Sequence, residues 1–249
     1  MVFRHYGRFV KGKDLETDAN VSIKMIDQDE EVNILKDISN NIKNSLKIKE
    51  IFTIQGITYI VEDYFDGDLE YYRKFRCQSQ HMSPNLIKKI FMQLNVTFKE
   101  LLEQNIIHNN ICPRNIYIKY TNRNKTNFDS FLTGYGYYTK YKENHIIEEP
   151  LEFFGTPVFQ APEVMCGIYK KNSDLFSIGM TIYFLYFGKI GGFGLVSRVT
   201  SDILNRNGFK IEEDRQLEDL LKKLLKEDPD ERINWEEYFD HPFFKQYYN

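Results

Sequence analysis

The stretch Ile106–Tyr117 has polar side chains between apolar ones, and of all segments of the chain its residue types most resemble those of an active site. It contains His108, Asn110 and Asn115. At neutral pH the amide of Asn110 cannot accept a proton, so it cannot act as a general base. Asn115 alone would offer magnesium one neutral ligand, whereas this hard cation prefers carboxylate oxygens. The residue types present therefore lack both a base and a metal site.

The same stretch resembles the catalytic loop of the eukaryotic protein kinases, whose pattern there is His-Arg-Asp-Leu-Lys-Pro-x-Asn. The positions that match are His108, Pro113, Asn115 and Ile116. The departures fall on the residues that do chemistry in that family. The catalytic aspartate is replaced by Asn110, the preceding arginine by Asn109 and the lysine by Cys112.

A second departure lies at Gly134-Tyr135-Gly136, which matches the family motif Asp-Phe-Gly. In the family that aspartate holds the magnesium ion between the phosphates. Gly134 has no side-chain ligand, so the resemblance implies that two independent parts of the phosphoryl-transfer machinery are missing. We predict no catalytic residue, no metal site and no cofactor, and interpret the chain as a pseudokinase of the Ser/Thr type.

The amino-terminal segment resembles the strands of a kinase that cover the nucleotide, but most of the glycine-rich phosphate loop is absent. Gly7 matches its last glycine, and Val2 and Arg4 occupy the two earlier glycine positions. We therefore expect the first strand to be missing, which would leave an open sheet edge at Val2–Val10 or would reflect a truncated gene model.

Two charged residues match the lysine and glutamate that pair around the nucleotide phosphates in the family. These are Lys24, after a β-forming run, and Glu31, at the start of a short amphipathic helix. They are much closer in sequence than in the family. Either they form an ion pair, or they are two separate solvated charges.

The adenine slot is altered as well. Glu62 falls at the gatekeeper position, where a buried carboxylate must find a cation such as Lys24 or lie in a wet pocket. Asp63, the next residue of the hinge, is a weaker candidate for nucleotide contact. Phe9 and Tyr117 match the roof and floor of the slot and would either fill it or rotate outward.

The second half of the chain matches the family best. Gly155-Thr156-Pro157 and Ala161-Pro162-Glu163 resemble the end of a Ser/Thr-type activation segment. Asp174 is expected to accept hydrogen bonds from the backbone of the His108 loop. Arg232 is expected to form a buried structural ion pair with Glu163.

Local patterns predict the elements that would position these residues. Ser83-Pro84 starts a long helix, Gln55-Gly56 is a hairpin turn, and the polar segment Lys119–Ser130 is predicted to be a surface loop. The fold class is predicted to be α+β, a two-lobed kinase-like fold with a reduced amino-terminal sheet (residues 1–66) and a mostly helical carboxy-terminal lobe (residues 67–249).

Composition excludes several classes of protein. The net charge of −3 does not favour general binding to nucleic acids or anionic membranes, and there is no long apolar run or signal peptide. Cys77, Cys112 and Cys166 follow no paired spacing and are expected to be free thiols in the cytoplasm, where a cytoskeletal association would also fit a scaffold.

Three functional hypotheses remain at this point. The first is an inactive kinase domain that acts as a scaffold or allosteric partner of other proteins, through the groove near Gly191–Asn207 or the open strand edge. The second is an ATP-binding switch without catalysis. The third is a kinase with displaced catalytic groups, in which Asp129 takes the part of the aspartate lost at Gly134.

Overall fold

The computed structural model describes residues 2–3, 8–26, 29–42, 45–77, 81–141, 147–148, 156–188 and 210–245. The strands are β1 Val2–Phe3, β2 Arg8–Lys13, β3 Asn20–Ile26, β4 Ile48–Ile54, β5 Ile57–Asp63, β6 Gly67–Asp68, β7 Ile106–Ile107, β8 Ile116–Tyr120, β9 Phe128–Leu132, β10 Thr139–Lys140, β11 Ile147–Glu148 and β12 Ile168–Tyr169. The α-helices are α1 Asp29–Asn41, α2 Leu69–Arg76, α3 Pro84–Glu103, α4 Pro162–Met165, α5 Ser173–Phe187, α6 Arg215–Leu224 and α7 Trp235–Phe239. The order of elements gives a sheet-rich first part followed by a mainly helical part, as the α+β, two-lobed prediction requires.

The amino-terminal sheet has five antiparallel strands in the order β1-β2-β3-β5-β4. The expectation that the first strand is missing is therefore wrong. The backbone of Val2 and Phe3 pairs with Phe9 and Arg8, so this strand is reduced to two residues. It covers only the start of β2. The phosphate-loop positions Arg4 and Gly7 lie outside the described residues.

The predicted hairpin turn between β4 and β5 is confirmed. Gln55 and Gly56 both have positive φ angles, of 52° and 79°. Two successive positive φ values are typical of the two-residue turns that match the twist of antiparallel strands. The glycine takes this conformation without a steric penalty, which explains why the turn is placed here.

Helix α1 packs into two hydrophobic clusters at once. Val32 and Leu35 belong to the small cluster beneath the sheet, together with Ile26 and Ile60. One turn later, Ile38 is part of the main core of the molecule. The same apolar stripe therefore touches both halves of the fold. The side chain of Glu31, on the first turn of this helix, lies outside the described residues.

The helical part is built around α3 and α5. Ser83 caps α3, since its hydroxyl accepts a hydrogen bond from the Leu86 amide at 3.3 Å, and Pro84 occupies the first position, as predicted. The first part of α5 is buried on all sides, but Tyr183, Phe184 and Phe187 remain partly exposed at its end.

The predicted polar loop Lys119–Ser130 is mostly a hairpin. Strands β8 and β9 pair from Ile116 with Leu132 to Tyr120 with Phe128. The side chain of Asn122 closes the turn by accepting hydrogen bonds from the amides of Thr126 and Asn127 at 3.0 and 3.1 Å. This side-chain cap adds to the backbone bonds at the tip, which join the Thr121 amide to the Asn127 carbonyl at 3.0 Å and the Lys125 amide to the Asn122 carbonyl at 3.1 Å.

In the part of the chain that the structure describes, no helix has the length and apolar character needed to cross a membrane. The division into lobes at residues 66 and 67 stays a prediction. Gly67 begins the short strand β6, which pairs with β8 of the helical part.

Candidate functional site

The loop that follows β7 is anchored by hydrogen bonds to the first turn of α5. One carboxylate oxygen of Asp174 accepts a hydrogen bond from the His108 amide at 2.6 Å, and the other accepts one from the Asn109 amide at 2.9 Å. Asn109 has a φ of 61°, so the chain turns sharply at this point. Asp174 therefore makes the contacts that were expected of it, and these contacts fix the loop without touching the cleft.

His108 is fully buried and serves as a hydrogen-bond connector. Its Nδ1 accepts from the Asn110 amide at 3.1 Å, so its Nε2 carries the proton and donates to the Thr133 carbonyl, also at 3.1 Å. Burial lowers the pKa of His108 to about 3, although the bond to Thr133 opposes this shift. The imidazole is therefore neutral at physiological pH and positions the backbone of Asn110.

The pH dependence of stability should reveal this neutral histidine. Below pH 6.5 His108 binds a proton in the unfolded chain but stays neutral in the folded protein. The free energy of unfolding therefore falls by up to about 1.4 kcal/mol for each unit by which the pH is lowered. Burial raises the pKa of Asp174 to about 6, although the hydrogen bonds from the His108 and Asn109 amides oppose this shift. Between pH 6 and 3.8 the folded protein binds a proton at Asp174 that the unfolded chain does not, so the free energy of unfolding rises as pH falls through this range. The two groups offset each other in that window. In His108→Gln the histidine contribution is gone.

We expect the gap in unfolding free energy between the wild type and His108→Gln to shrink by about 2–3 kcal/mol from pH 7 to pH 4.5. Urea unfolding at the two pH values measures it. His81→Gln, at an exposed histidine, is the control. A constant gap would show that His108 takes up a proton in the folded state.

Three of the four residues at the degenerate catalytic positions, Asn110, Asn115 and Gly134, are joined by hydrogen bonds. The Asn110 side chain donates to the Gly134 carbonyl at 3.3 Å. The Asn115 side chain donates to the Asn110 carbonyl at 2.8 Å. Thr133 closes the group, since its amide and its hydroxyl both donate to the Asn115 carbonyl, at 2.8 and 3.0 Å. The structure therefore brings together the predicted positions Asn110, Asn115 and Gly134.

Gly134 leaves no room for a side chain. Its φ is 83°, and a Cβ atom placed there would lie 2.5 Å from Cγ of Asn115. Real Cβ atoms do not approach other heavy atoms so closely. An aspartate at this position would therefore require Asn115 to move and to give up its bond to Asn110.

Tyr135 stands where the family has phenylalanine, and it is fully buried against His108, with ring centroids 4.7 Å apart. Its hydroxyl has no hydrogen-bond partner among the residues that the structure describes. Burial raises the pKa of this phenol far above its ordinary value. A buried hydroxyl without a partner loses its hydration and gains nothing in return.

Tyr135→Phe should therefore raise the free energy of unfolding by about 1–2 kcal/mol. Tyr238→Phe is a matched control, because Tyr238 is equally buried but its hydroxyl donates to Asn95 Oδ1 at 2.9 Å. That variant should lose about 1 kcal/mol. Chemical denaturation compares the two, and a loss of stability in Tyr135→Phe would mean that its hydroxyl has a partner such as water.

Asn109, in place of the family arginine, fixes the segment that follows Tyr135. Its side-chain amide donates to the Tyr137 carbonyl at 2.9 Å and to the Thr139 hydroxyl at 2.8 Å. Lys140, in strand β10, also forms an ion pair of 2.7 Å with Asp37 of α1. The start of the segment is therefore held by neutral hydrogen bonds and one ion pair.

Lys24 and Glu62 lie on one face of the amino-terminal sheet. Ser22 is directly opposite Glu62 and Lys24 is opposite Ile60, so the alternation of side chains points Lys24 and Glu62 the same way. Both are buried. The gatekeeper assignment of Glu62 stays a prediction. Asp63 is turned to the other face, where it lies 3.6 Å from Lys49, so its carboxylate is not brought to Lys24.

Tyr117, which matches the floor position of the family's adenine slot, is packed in an aromatic cluster. Its ring centroid is 5.3 Å from that of Phe65, which in turn is 5.2 Å from that of Phe131. Phe131 is directly opposite Tyr117 across the β8–β9 pair. The ring of Tyr117 is thus covered by neighbours that the sequence did not single out. The side chain of Phe9 lies outside the described residues.

The predicted ion pair between Glu163 and Arg232 is present and has two hydrogen bonds. The Nη1–Oε1 and Nη2–Oε2 distances are 2.6 and 2.9 Å, and the Ser173 hydroxyl donates to Glu163 at 2.8 Å. The Arg232 guanidinium also lies 5.1 Å from the ring centroid of Phe176. Both charges are buried, and the pair links α4 to the turn after α6.

Cys112, at the position of the family lysine, is buried. Its sulfur accepts a hydrogen bond from the Thr156 hydroxyl at 3.7 Å, and burial raises the pKa of its thiol. Thr156 thus touches the loop directly, in the place where the family lysine would act.

The carboxylate proposed as a substitute for the missing metal ligand is badly placed. Asp129 is exposed and accepts a hydrogen bond from Gln93 at 3.4 Å, five residues before Gly134. The strand segment from Asp129 to Leu132 alone spans roughly 10 Å. In the described part of the chain, no group of three or more His, Cys, Asp or Glu residues could hold a metal ion.

Comparison with known proteins agrees with this architecture. A model of the protein kinase domain matches residues 2–244. Among curated proteins, the chain is 28% identical over 95% of its length to a probable serine/threonine-protein kinase, fhkB, of Dictyostelium discoideum. It is 29% identical over 86% of its length to the serine/threonine-protein kinase ULK3 of Xenopus laevis. It is 26% identical over 97% of its length to the serine/threonine-protein kinase TOS3 of Saccharomyces cerevisiae.

The chain spans only part of these relatives, with 21%, 44% and 51% of their lengths covered. The activity, substrates and partners of a whole protein therefore do not follow from the match. The family follows from the extent of the domain match together with the fold, and the chain belongs to the protein kinase family.

Proposed function

We propose that this domain does not transfer phosphate and works as a scaffold or allosteric partner of other proteins. The observation that carries the proposal is the hydrogen-bonded set formed by Asn110, Asn115 and Gly134. It occupies the positions at which an active member of the family keeps its base and its metal ligands.

The domain lacks a catalytic base because of the residue type at position 110. Phosphoryl transfer in this family uses a carboxylate that accepts the hydroxyl proton of the substrate. The Asn110 amide cannot take a proton near neutral pH, and its nitrogen already donates to Gly134. His108 is no substitute, since it is buried and bonded through both ring nitrogens.

The loss of the metal site is steric as well as chemical. Gly134 supplies no oxygen beyond its backbone, and the Asn115 amide nitrogen is directed at the Asn110 carbonyl. Magnesium binds through carboxylates and substrate phosphates. Neither Asp129 nor Asp174 reaches this position, because the first is bonded to Gln93 and the second to the backbone of the loop. We therefore propose no magnesium and no required cofactor.

A protein-binding role is supported by what the domain keeps. The buried pair Glu163–Arg232 and the Asp174 anchor support the shape of the fold and do no chemistry. A fold kept without its reaction suits a protein that acts by contact. We propose partners among proteins, not nucleic acids or membranes, and a cytoplasmic location in keeping with three free thiols.

A second candidate is a nucleotide-binding switch without catalysis. One observation favours it: Lys24 is retained on the same buried sheet face as Ser22, above the slot. The aromatic cluster of Phe65, Tyr117 and Phe131 opposes it, because Tyr117, at the position that forms the floor of the slot in the family, is packed against other rings.

The test measures ATP and ADP binding by calorimetry with and without magnesium, alongside phosphate transfer to a generic protein substrate. We expect no transfer and no binding that magnesium strengthens. The variant Asn110→Asp should remain inactive, because the metal site is still missing. Transfer by the wild type would refute the proposal. Binding that is indifferent to magnesium would favour the switch.

A further inference from the structure

A groove outside the degenerate cleft lies between the start of α3 and the β8–β9 hairpin, with a volume of about 240 Å³. Its floor is apolar, formed by Leu86, Ile90 and Phe128. Asn85, Lys89 and Asn127 stand at its rim. Pockets for small molecules usually measure about 300–1,000 Å³, so this groove suits one or two side chains of a larger partner.

The surface around the groove is basic on a protein that is acidic overall. From Arg73 to Lys99 the sequence has six Lys or Arg residues and no Asp or Glu. Residues 117–129 have three Lys or Arg residues and one acidic residue, Asp129, which is exposed and bonds to Gln93 of the groove. The whole chain, in contrast, has a net charge of −3. We define the basic face by its exposed cations, which are Lys74, Arg76, Lys89, Arg123 and Lys125.

Specific contacts bring these two segments together. Arg76 donates to the Lys125 carbonyl at 3.2 Å, and Lys89 Nζ lies 3.4 Å from Asn127 Oδ1. The ring of Tyr72, on α2, packs edge-on against Phe128 at 4.8 Å between centroids. The basic face and the groove are therefore one continuous surface.

We propose that this surface binds a short extended segment of a partner protein, in which one apolar side chain is flanked by aspartate and glutamate. The apolar side chain would enter the groove over Leu86, Ile90 and Phe128. The amides of Asn85 and Asn127 offer donors and acceptors to the backbone of the segment. The flanking carboxylates meet the basic face, whose positive charge is strengthened by the amino-terminal end of α3.

An acidic peptide fits the surface better than a nucleic acid. Single-stranded nucleic acids bind to exposed aromatic rings on which bases can stack. The ring that lines this groove, Phe128, is buried, and the exposed rings of α2, Tyr71 and Phe75, do not line it. The inference rests on the proposed protein-binding role, but not on the absence of catalysis, because an active kinase could use the same groove.

The test uses the full chain and a fluorescein-labelled peptide with one leucine in a run of Asp and Glu, without Ser, Thr or Tyr. Fluorescence anisotropy measures its affinity. Lys89→Glu/Lys125→Glu should weaken binding by about tenfold or more. A peptide with glycine in place of leucine should bind about tenfold more weakly. Lys99→Glu, a charge reversal far along the same helix, should change affinity by no more than about twofold.

Four outcomes would overturn the inference: no peptide binding, binding that the double variant leaves intact, an equal loss in Lys99→Glu, or binding only of single-stranded RNA or phosphatidylserine vesicles. The peptide cannot be phosphorylated, so its binding is scored apart from catalysis. Peptide binding together with phosphate transfer to another protein would refute the proposed inactivity and leave the groove assignment in place.

Discussion

Replacing Arg232 by alanine is expected to lower the free energy of unfolding by about 3–5 kcal/mol, because it leaves the Glu163 carboxylate buried without its cation. The guanidinium also donates to the carbonyls of Lys226, Asn172 and Glu227, at 3.0, 3.2 and 3.2 Å. Its loss therefore frees three backbone acceptors as well. Urea unfolding measures the effect.

The matched control is Lys170→Ala, which removes the ion pair with Asp230 at the surface. Exposed pairs contribute little, so we expect a change of less than about 1 kcal/mol. The double variant Glu163→Met/Arg232→Met should recover part of the stability lost by Arg232→Ala, since an apolar pair leaves no buried charge. A loss below about 1 kcal/mol in Arg232→Ala would show that water reaches Glu163.

Gly134→Ala is expected to destabilise the protein by about 1–3 kcal/mol more than Gly56→Ala does. Both glycines have φ near 80°, so both variants incur about 1–2 kcal/mol for the left-handed backbone. They differ in space: a Cβ at Gly56 meets nothing within 4 Å, whereas one at Gly134 meets Asn115 at 2.5 Å. The comparison therefore isolates the contact with Asn115.

The double variant Asn115→Ala/Gly134→Ala should remove this excess, so the two changes should not add. Thermal or urea unfolding of the four proteins gives the coupling. Equal losses at Gly56 and Gly134 would mean that Asn115 swings aside freely. In that case an aspartate at position 134 would incur the cost of the left-handed backbone but no clash with Asn115.

Short-range signals in the sequence predicted much of the fold. The cap at Ser83 and the turn at Gln55-Gly56 depend on hydrogen bonds and φ angles within a few residues, so their chemistry is visible in the local sequence. Asp174 and the pair Glu163–Arg232 were found differently, by matching whole motifs of a known family. Their contacts span 66 and 69 residues, and no local rule would have joined them.

The missed features depend on packing between distant segments. The cluster of Phe65, Phe131 and Tyr117 forms because three elements meet, and a sequence shows only that each ring is apolar. The unsatisfied hydroxyl of Tyr135 is likewise a property of its surroundings. For the β8–β9 hairpin a signal did exist: Ile116, Ile118 and Tyr120 alternate with other residues, but the polar tip concealed it.

Helix α1 couples the two halves of the molecule mechanically. Val32 and Leu35 belong to the cluster under the sheet, and Ile38 and Ile42 belong to the main core. A rotation of the helix toward either half would open a cavity in the other, where side chains are closely packed. The sheet and the helical part should consequently melt in one cooperative calorimetric transition, since neither keeps a complete hydrophobic core once the other has unfolded.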